Sequence, residues 1–69
     1  MKYILKWTNK FSGDTGFVES ISSKEKHFVN TFEQKDAKVY ASISIAKRMI
    51  ASLRSMGEAE NNDFDIIEV

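Results

Sequence analysis

Few residues in this chain of 69 belong to the types that do covalent or metal chemistry. There is no cysteine, which excludes disulfides, thiolate zinc sites and cysteine nucleophiles. His27 is the single histidine, so a multi-histidine metal site is impossible and a histidine-based triad has no marked nucleophile. We expect His27 to be a solvated strand residue, and we predict no metal and no cofactor.

The triplet Asp14-Thr15-Gly16 is the one short motif with a catalytic counterpart. It resembles the Asp-Thr-Gly signature of retroviral-type aspartic proteases, in which two aspartates share one proton across a dimer axis. That family places the triplet after an apolar strand, whereas here Ser12-Gly13 precedes it and Phe17 follows. A turn that ends in a glycine with positive φ is the better interpretation, and we predict that the protein is not an enzyme.

Acidic residues are concentrated at the end of the chain. Residues 55–69 have a net charge of −5, while residues 1–35 carry +2 and residues 36–54 carry +3. The acidic group lacks the Asp-x-Asp-x-Asp-Gly spacing of a calcium loop, so a solubilising charge run is expected rather than a metal site. This group comprises Glu58, Glu60, Asp63, Asp65 and Glu68.

One basic cluster includes an aromatic residue. Because lysine and arginine neutralise phosphates and an aromatic ring can stack on a base, this cluster gives an alternative function, association with nucleic acid. The acidic end of the chain opposes that field, and no known nucleic-acid motif is present, so an ordinary solvated helix face is the competing interpretation. The cluster comprises Lys38, Tyr40, Lys47, Arg48 and Arg54.

Hydrophobic periodicity places these residues on four strands and one helix. Residues 2–8 alternate cleanly between two faces, which predicts a strand with one buried side. Residues 9–16 form a loop, and further strands are predicted over 17–22, 27–32 and 64–69. The first three strands form an antiparallel meander.

An amphipathic helix is predicted between Ser42, as N-cap, and Gly57, which ends it. Residues 37–40 are predicted to be extended, because their apolar residues alternate as in a strand. Since they directly precede the helix, an earlier helix start within this segment is the alternative. The apolar stripe spans roughly 160° of the helix wheel. It comprises Ile43, Ile45, Ala46, Met49, Ile50, Leu53 and Met56.

The order β-β-β-α-β predicts an α+β fold of two layers in a single domain, residues 1–69. A right-handed crossover through the helix would make the last strand parallel to the first and third, giving a four-stranded mixed sheet with that strand beside the first. The helix would cover one face only. Tyr3, Leu5, Trp7, Phe17 and Ile21 are predicted to face the helix.

The opposite sheet face is the predicted protein interface, because it is β-branched and thinly charged. A small core has little stability to spare, so a second copy covering this face, or pairing with an edge strand, would supply the missing layer. The residues predicted for this interface are Ile4, Lys6, Thr8, Val18, Ser20, Val29 and Thr31.

Length and composition favour binding over catalysis. A chain of 7.9 kDa has little wall from which to build a catalytic cleft, and 42% hydrophobic residues suffice for a folded core. No apolar stretch approaches the roughly 20 residues of a membrane span, and no signal sequence is apparent. We therefore expect a cytoplasmic protein with no membrane association.

The layout as a whole resembles the small uncharacterised proteins encoded by Gram-positive bacteria and their phages. The likeness rests on the basic first strand with Trp7, on the lead into the helix over residues 39–46 and on the acidic ending over residues 64–69. It implies no known activity. The leading hypothesis from the sequence is a non-enzymatic interaction module, a homodimer or a subunit of a larger assembly.

Overall fold

A computed structural model describes residues 1–22 and 24–69 of the chain. Within these residues lie four strands, one α-helix and two short 3-10 turns, at Gln34–Asp36 and Glu58–Glu60. The predicted order β-β-β-α-β is confirmed. The elements are β1 (Tyr3–Asn9), β2 (Thr15–Ser22), β3 (His27–Thr31), α1 (Ile43–Ser55) and β4 (Asn62–Glu68).

The four strands form one antiparallel sheet in the order β3-β2-β1-β4. The predicted α+β class and the place of the last strand beside the first are confirmed. The prediction of a mixed sheet is wrong, because β4 runs antiparallel to β1 along the whole length of β1. The register extends from Tyr3 opposite Glu68 to Asn9 opposite Asn62.

The direction of β4 follows from a short extended segment that precedes the helix. Tyr40 forms an antiparallel bridge with Tyr3, and the Lys38 backbone N–H donates to the Val18 carbonyl oxygen at 3.0 Å. Residues 38–40 therefore lie between the diverging ends of β1 and β2 and run antiparallel to β1. The parallel crossover through α1 thus joins this segment, rather than β3, to β4.

An irregularity in β2 decides which of its side chains face the helix. The pairing of β2 with β3 shifts between Val18 and Ser20, which is a β-bulge. Because one extra residue reverses the alternation of a strand, Val18 and Ile21 both face the helix although they are three positions apart. The predicted orientations of Phe17 and Val18 are therefore wrong, whereas that of Ile21 is confirmed.

The helix begins and ends at the predicted residues. The Ser42 side chain accepts a hydrogen bond from the Ile45 backbone N–H at 3.3 Å, and Gly57 adopts a left-handed conformation with φ of 84°. Ala46, Ile50 and Leu53 are buried on its inner face. Ile43 does not belong to the stripe, because it lies at the first turn and 46% of its surface is exposed.

The core lies between α1 and the concave face of the sheet. Aromatic rings from both edge strands meet there, since the Phe28 and Phe64 centroids are 5.5 Å apart in an edge-to-face arrangement. The sheet therefore curls around the core. The buried members of the core cluster are Leu5, Trp7, Val18, Tyr40, Ala46, Ile50 and Leu53.

The face of the sheet opposite the helix is partly covered. Ile4 alternates with Leu5 and so faces away from the helix, yet only 1% of its surface is exposed. Ala37, which follows a 3-10 turn packed against β2, is also buried without belonging to the core cluster. The prediction that this face is left uncovered is wrong in the region around Ile4.

We predict that Leu53→Ala lowers the free energy of unfolding by about 2–5 kcal/mol, because the side chain is fully buried and its removal leaves a cavity. Urea denaturation measures this. Ile43→Ala is the matched control on the same helix, and we expect it to cost less than about 1 kcal/mol. Equal losses in the two variants would contradict the orientation of the helix.

Candidate protein interface

Strand β3 has a free edge. It pairs with β2 on one side, and no other strand in the described part of the chain pairs with its other side. Its five residues, His27–Thr31, contain no lysine, arginine, aspartate, glutamate or proline. These are the residue types with which natural proteins protect sheet edges from pairing with another chain. The backbone donors and acceptors along β3 are therefore available to a further strand.

The opposite edge of the sheet, β4, differs in charge. Asp63, Asp65 and Glu68 are exposed along it. Lys6 is opposite Asp65 in the β1–β4 register, and Lys10 Nζ lies 3.9 Å from an Asp63 carboxylate oxygen. The acidic end of the chain thus lies beside the basic first strand. Two β4 edges would repel each other, so β4 is protected from pairing with a second β4.

An exposed aromatic residue follows β3. Phe32 has 70% of its surface exposed, and its ring contacts Trp7 edge-on with centroids 5.8 Å apart. Trp7 reaches across β2 because Gly16 is opposite it, and a Cβ at Gly16 would lie 2.6 Å from the indole ring. Glycine at position 16 therefore allows the indole to lie close to the β2 backbone, beside Phe32.

A cleft of about 300 Å³ opens on the helix side of β3. The helix packs against β1 and β4, which leaves the β3 half of the concave face less covered. Most of the lining side chains are polar, with three amides and two carboxylates. The cleft is lined by Trp7, Asn9, Ser12, Asp14, Phe28, Asn30, Glu58 and Asn62.

Part of the hydrogen-bonding capacity of the cleft is already used by the fold. Asn9 Oδ1 accepts from the backbone N–H groups of Phe11 and Ser12, both at 2.9 Å, and Asn62 Nδ2 donates to the Glu58 carbonyl oxygen at 3.3 Å. The indole Nε1–H of Trp7 is buried and has no acceptor among the described residues. The indole N–H is therefore not exposed in the cleft, and the charged side chains that line the cleft are two carboxylates, Asp14 and Glu58.

The residues predicted to form the interface do not all share one surface. Five of them lie on the face away from the helix, as their pairing registers require: Lys6, Thr8, Ser20, Val29 and Thr31. Ile4 is on that face but buried. The prediction that Val18 belongs to the interface is wrong, because Val18 is fully buried beneath the helix. Of the set, Val29 and Thr31 belong to the free edge strand, and Ser20 pairs with Val29.

The basic cluster loses its aromatic member. Tyr40 is 8% exposed and packs in the core, so its ring is not available to stack on a base. Lys38, Lys47, Arg48 and Arg54 are exposed, but Arg54 shares a surface depression with Asp63 and Asp65 of β4. Lys47, Arg48 and Arg54 remain as exposed cations on the helix, and Lys38 lies in the extended segment before it.

Asp14 and His27, the two residues weighed for catalysis, do not lie together, because Asp14 lines the cleft and His27 does not. Asp14 is exposed in the loop between β1 and β2, and its backbone carbonyl accepts from the Asn9 N–H at 2.8 Å. The predicted turn ending in a positive-φ Gly16 is wrong, because Thr15 and Gly16 already belong to β2 and the positive φ of this loop is at Gly13. His27 is exposed at the start of β3, with Nε2 2.7 Å from a Glu25 carboxylate oxygen. Its placement as a solvated strand residue is confirmed. Among the described residues, no three metal-binding side chains are grouped to hold an ion.

No protein-family model, curated protein or solved structure matches this sequence. In residues 1–22 and 24–69 no helix has the length and apolar character needed to cross a lipid bilayer.

Sequence reasoning offered pairing through an edge strand as an alternative to the sheet face without identifying the strand as β3, and it missed the cleft. The sequence signal for the edge is the uncharged run from His27 to Phe32, which is not distinctive because residues 39–46 form a longer uncharged run. The cleft has no such signal, because its walls come from three distant parts of the chain, around residues 7–14, 28–30 and 58–62.

Burial raises the pKa of the Tyr40 phenol above its ordinary value of 10.0. Above that value the unfolded chain loses this proton while the folded chain keeps it, so the free energy of unfolding falls as pH rises. We predict that Tyr40→Phe weakens this fall above pH 10 by up to about 1.4 kcal/mol per pH unit. Urea denaturation at several alkaline pH values measures it, with Tyr3→Phe as control. Identical pH slopes in Tyr40→Phe and the unaltered protein would contradict the account.

Proposed function

We propose that this protein is a non-enzymatic interaction module that pairs with another protein strand through the free edge of β3. The observation that carries the proposal is the difference between the two sheet edges. β3 has no charged residue or proline, whereas three carboxylates are exposed along β4. Strand addition to an open edge is a common mode of protein recognition, in which backbone hydrogen bonds supply the affinity.

Exposed apolar side chains near β3 also favour this edge as the binding surface. Val29 is 40% exposed on one face of the strand, and Phe32 is 70% exposed just beyond it. A strand added to β3 would cover part of both. Paired edges therefore bury apolar surface as well as backbone groups, and both effects favour association.

A second copy of the chain is the simplest source of the added strand. Two β3 edges can pair antiparallel about a two-fold axis, so that each chain presents the same surface to the other. The accessible surface is 4566 Å², close to the roughly 4,400 Å² expected of a folded monomer of this mass. The fold therefore does not need a second copy, and the proposed dimer forms between chains that are already folded.

Association with nucleic acid, the alternative from the sequence, has less support than strand pairing. The aromatic residue of the basic cluster is buried, and the acidic strand β4 adjoins Arg54. Phosphate contacts would also make affinity fall steeply with salt, whereas strand pairing through an uncharged edge does not depend on counterion release.

We predict that the protein sediments at equilibrium as a dimer, at twice its mass of 7.9 kDa, at concentrations of tens of micromolar. Val29→Lys should give the monomer mass with the fold intact, because a lysine in an edge strand opposes pairing with a second edge. The side chain is 40% exposed, so the substitution does not disturb the core.

Val39→Lys is the matched control. Val39 is 47% exposed and its neighbour Tyr40 faces the core, so Val39 lies on the sheet face away from the helix and outside β3. The dimer should survive this change. A dimer lost in Val39→Lys but kept in Val29→Lys would place the contact on the sheet face, and a monomeric unaltered protein would refute self-association.

A further inference from the structure

The cleft beside β3 lies where the side chains of an added strand would fall. Phe28 and Asn30 alternate with Val29 and point to the helix side of β3, where they line the cleft. A strand paired with β3 would run about 4.8 Å away. Every second side chain of that strand would point to the same side as Phe28 and Asn30, at the mouth of the cleft.

The charge of the cleft selects among such side chains. Asp14 and Glu58 bring two carboxylates to its lining, and among the described residues no lysine, arginine or histidine lines it. Asn9, Asn30 and Asn62 add amides, and Phe28 and Trp7 supply aromatic wall. An ammonium or guanidinium group fits this lining, because it donates hydrogen bonds to carboxylates and is attracted to aromatic rings.

The free edge of β3 favours a peptide over a free cation at this cleft. Phe28 and Asn30, which line the cleft, belong to the strand whose outer side pairs with no other strand in the described part of the chain. An extended peptide can pair with that edge and also present a cationic side chain, whereas a bare amine makes only the second contact.

We propose that the preferred partner of β3 is an extended segment of another protein that carries a lysine or arginine directed into this cleft. The proposal rests on the proposed function, because it requires a strand to pair with β3. A second copy of this chain is the less favourable occupant, since its own β3, His27–Thr31, contains no lysine or arginine. A basic segment should therefore compete with self-pairing for the same edge.

The test uses two capped heptapeptides with the full-length protein. The lysine peptide is acetyl-Thr-Val-Thr-Lys-Thr-Val-Thr-amide, and the glutamine peptide has glutamine in place of lysine. Calorimetric titration gives the affinities, and amide chemical-shift changes locate the binding site. We expect both peptides to shift β3 amides rather than β4 amides, and the lysine peptide to bind about three- to tenfold more tightly.

Substitutions in the cleft should remove that preference. Glu58→Gln and Asp14→Asn should each weaken binding of the lysine peptide by about two- to fivefold and leave the glutamine peptide almost unaffected. Glu60→Gln is the control, because Glu60 lies in the same 3-10 turn as Glu58 but is exposed and does not line the cleft. It should change neither affinity.

Three negative results are distinguishable. Equal affinities of the two peptides for the unaltered protein, with shifts at β3, would overturn the cleft proposal and leave strand pairing in place. Absence of binding by both peptides, or shifts confined to other parts of the chain, would overturn strand pairing at β3 as well. Equal loss of lysine-peptide affinity in Glu58→Gln and Glu60→Gln would overturn the role of the cleft.

Discussion

The architecture depends on one pair of backbone hydrogen bonds, between Tyr3 and Tyr40. The Tyr3 N–H donates to the Tyr40 carbonyl at 3.0 Å, and the Tyr40 N–H donates to the Tyr3 carbonyl at 2.7 Å. With the Lys38 bond to Val18, they place residues 38–40 where β1 and β2 separate. The Tyr40 ring joins the core, and the chain enters α1 running opposite to β1. The antiparallel direction of β4 follows, and with it the position of β3 as the other edge.

The two edge strands of the sheet differ in how well they are protected from pairing with another chain. β4 contains most of the acidic end of the chain and pairs with β1. Carboxylates of β4 therefore lie next to basic side chains, with Asp65 opposite Lys6 and Asp63 near Lys10. β3 has no comparable protection. In a small protein, an uncharged edge with exposed apolar side chains is a hazard unless another chain occupies it. Its presence is easier to understand in a protein whose role is to be paired.

The sequence predicts well what depends on local patterns. The Ser42 cap, the end of the helix at Gly57 and the residues of β1 that face the helix are read directly from residue types and spacing, and each is confirmed. The β-bulge was not foreseen, although the apolar residues Val18 and Ile21, three apart, are compatible with one. The pairing of Tyr40 with Tyr3 joins residues 37 positions apart, and no local pattern reveals it. The cleft is hidden for the same reason, since its lining comes from distant segments.

Amide hydrogen exchange tests most directly the proposed pairing of other chains with the free edge of β3. Exchange should be measured at rising protein concentration, from well below to well above the expected dissociation constant. Outward-facing amides of β3 should become protected as concentration rises, because pairing removes them from water, while those of β4 should be unchanged. Protection that rises along β4, or that stays constant along both edges at every concentration, would contradict the account.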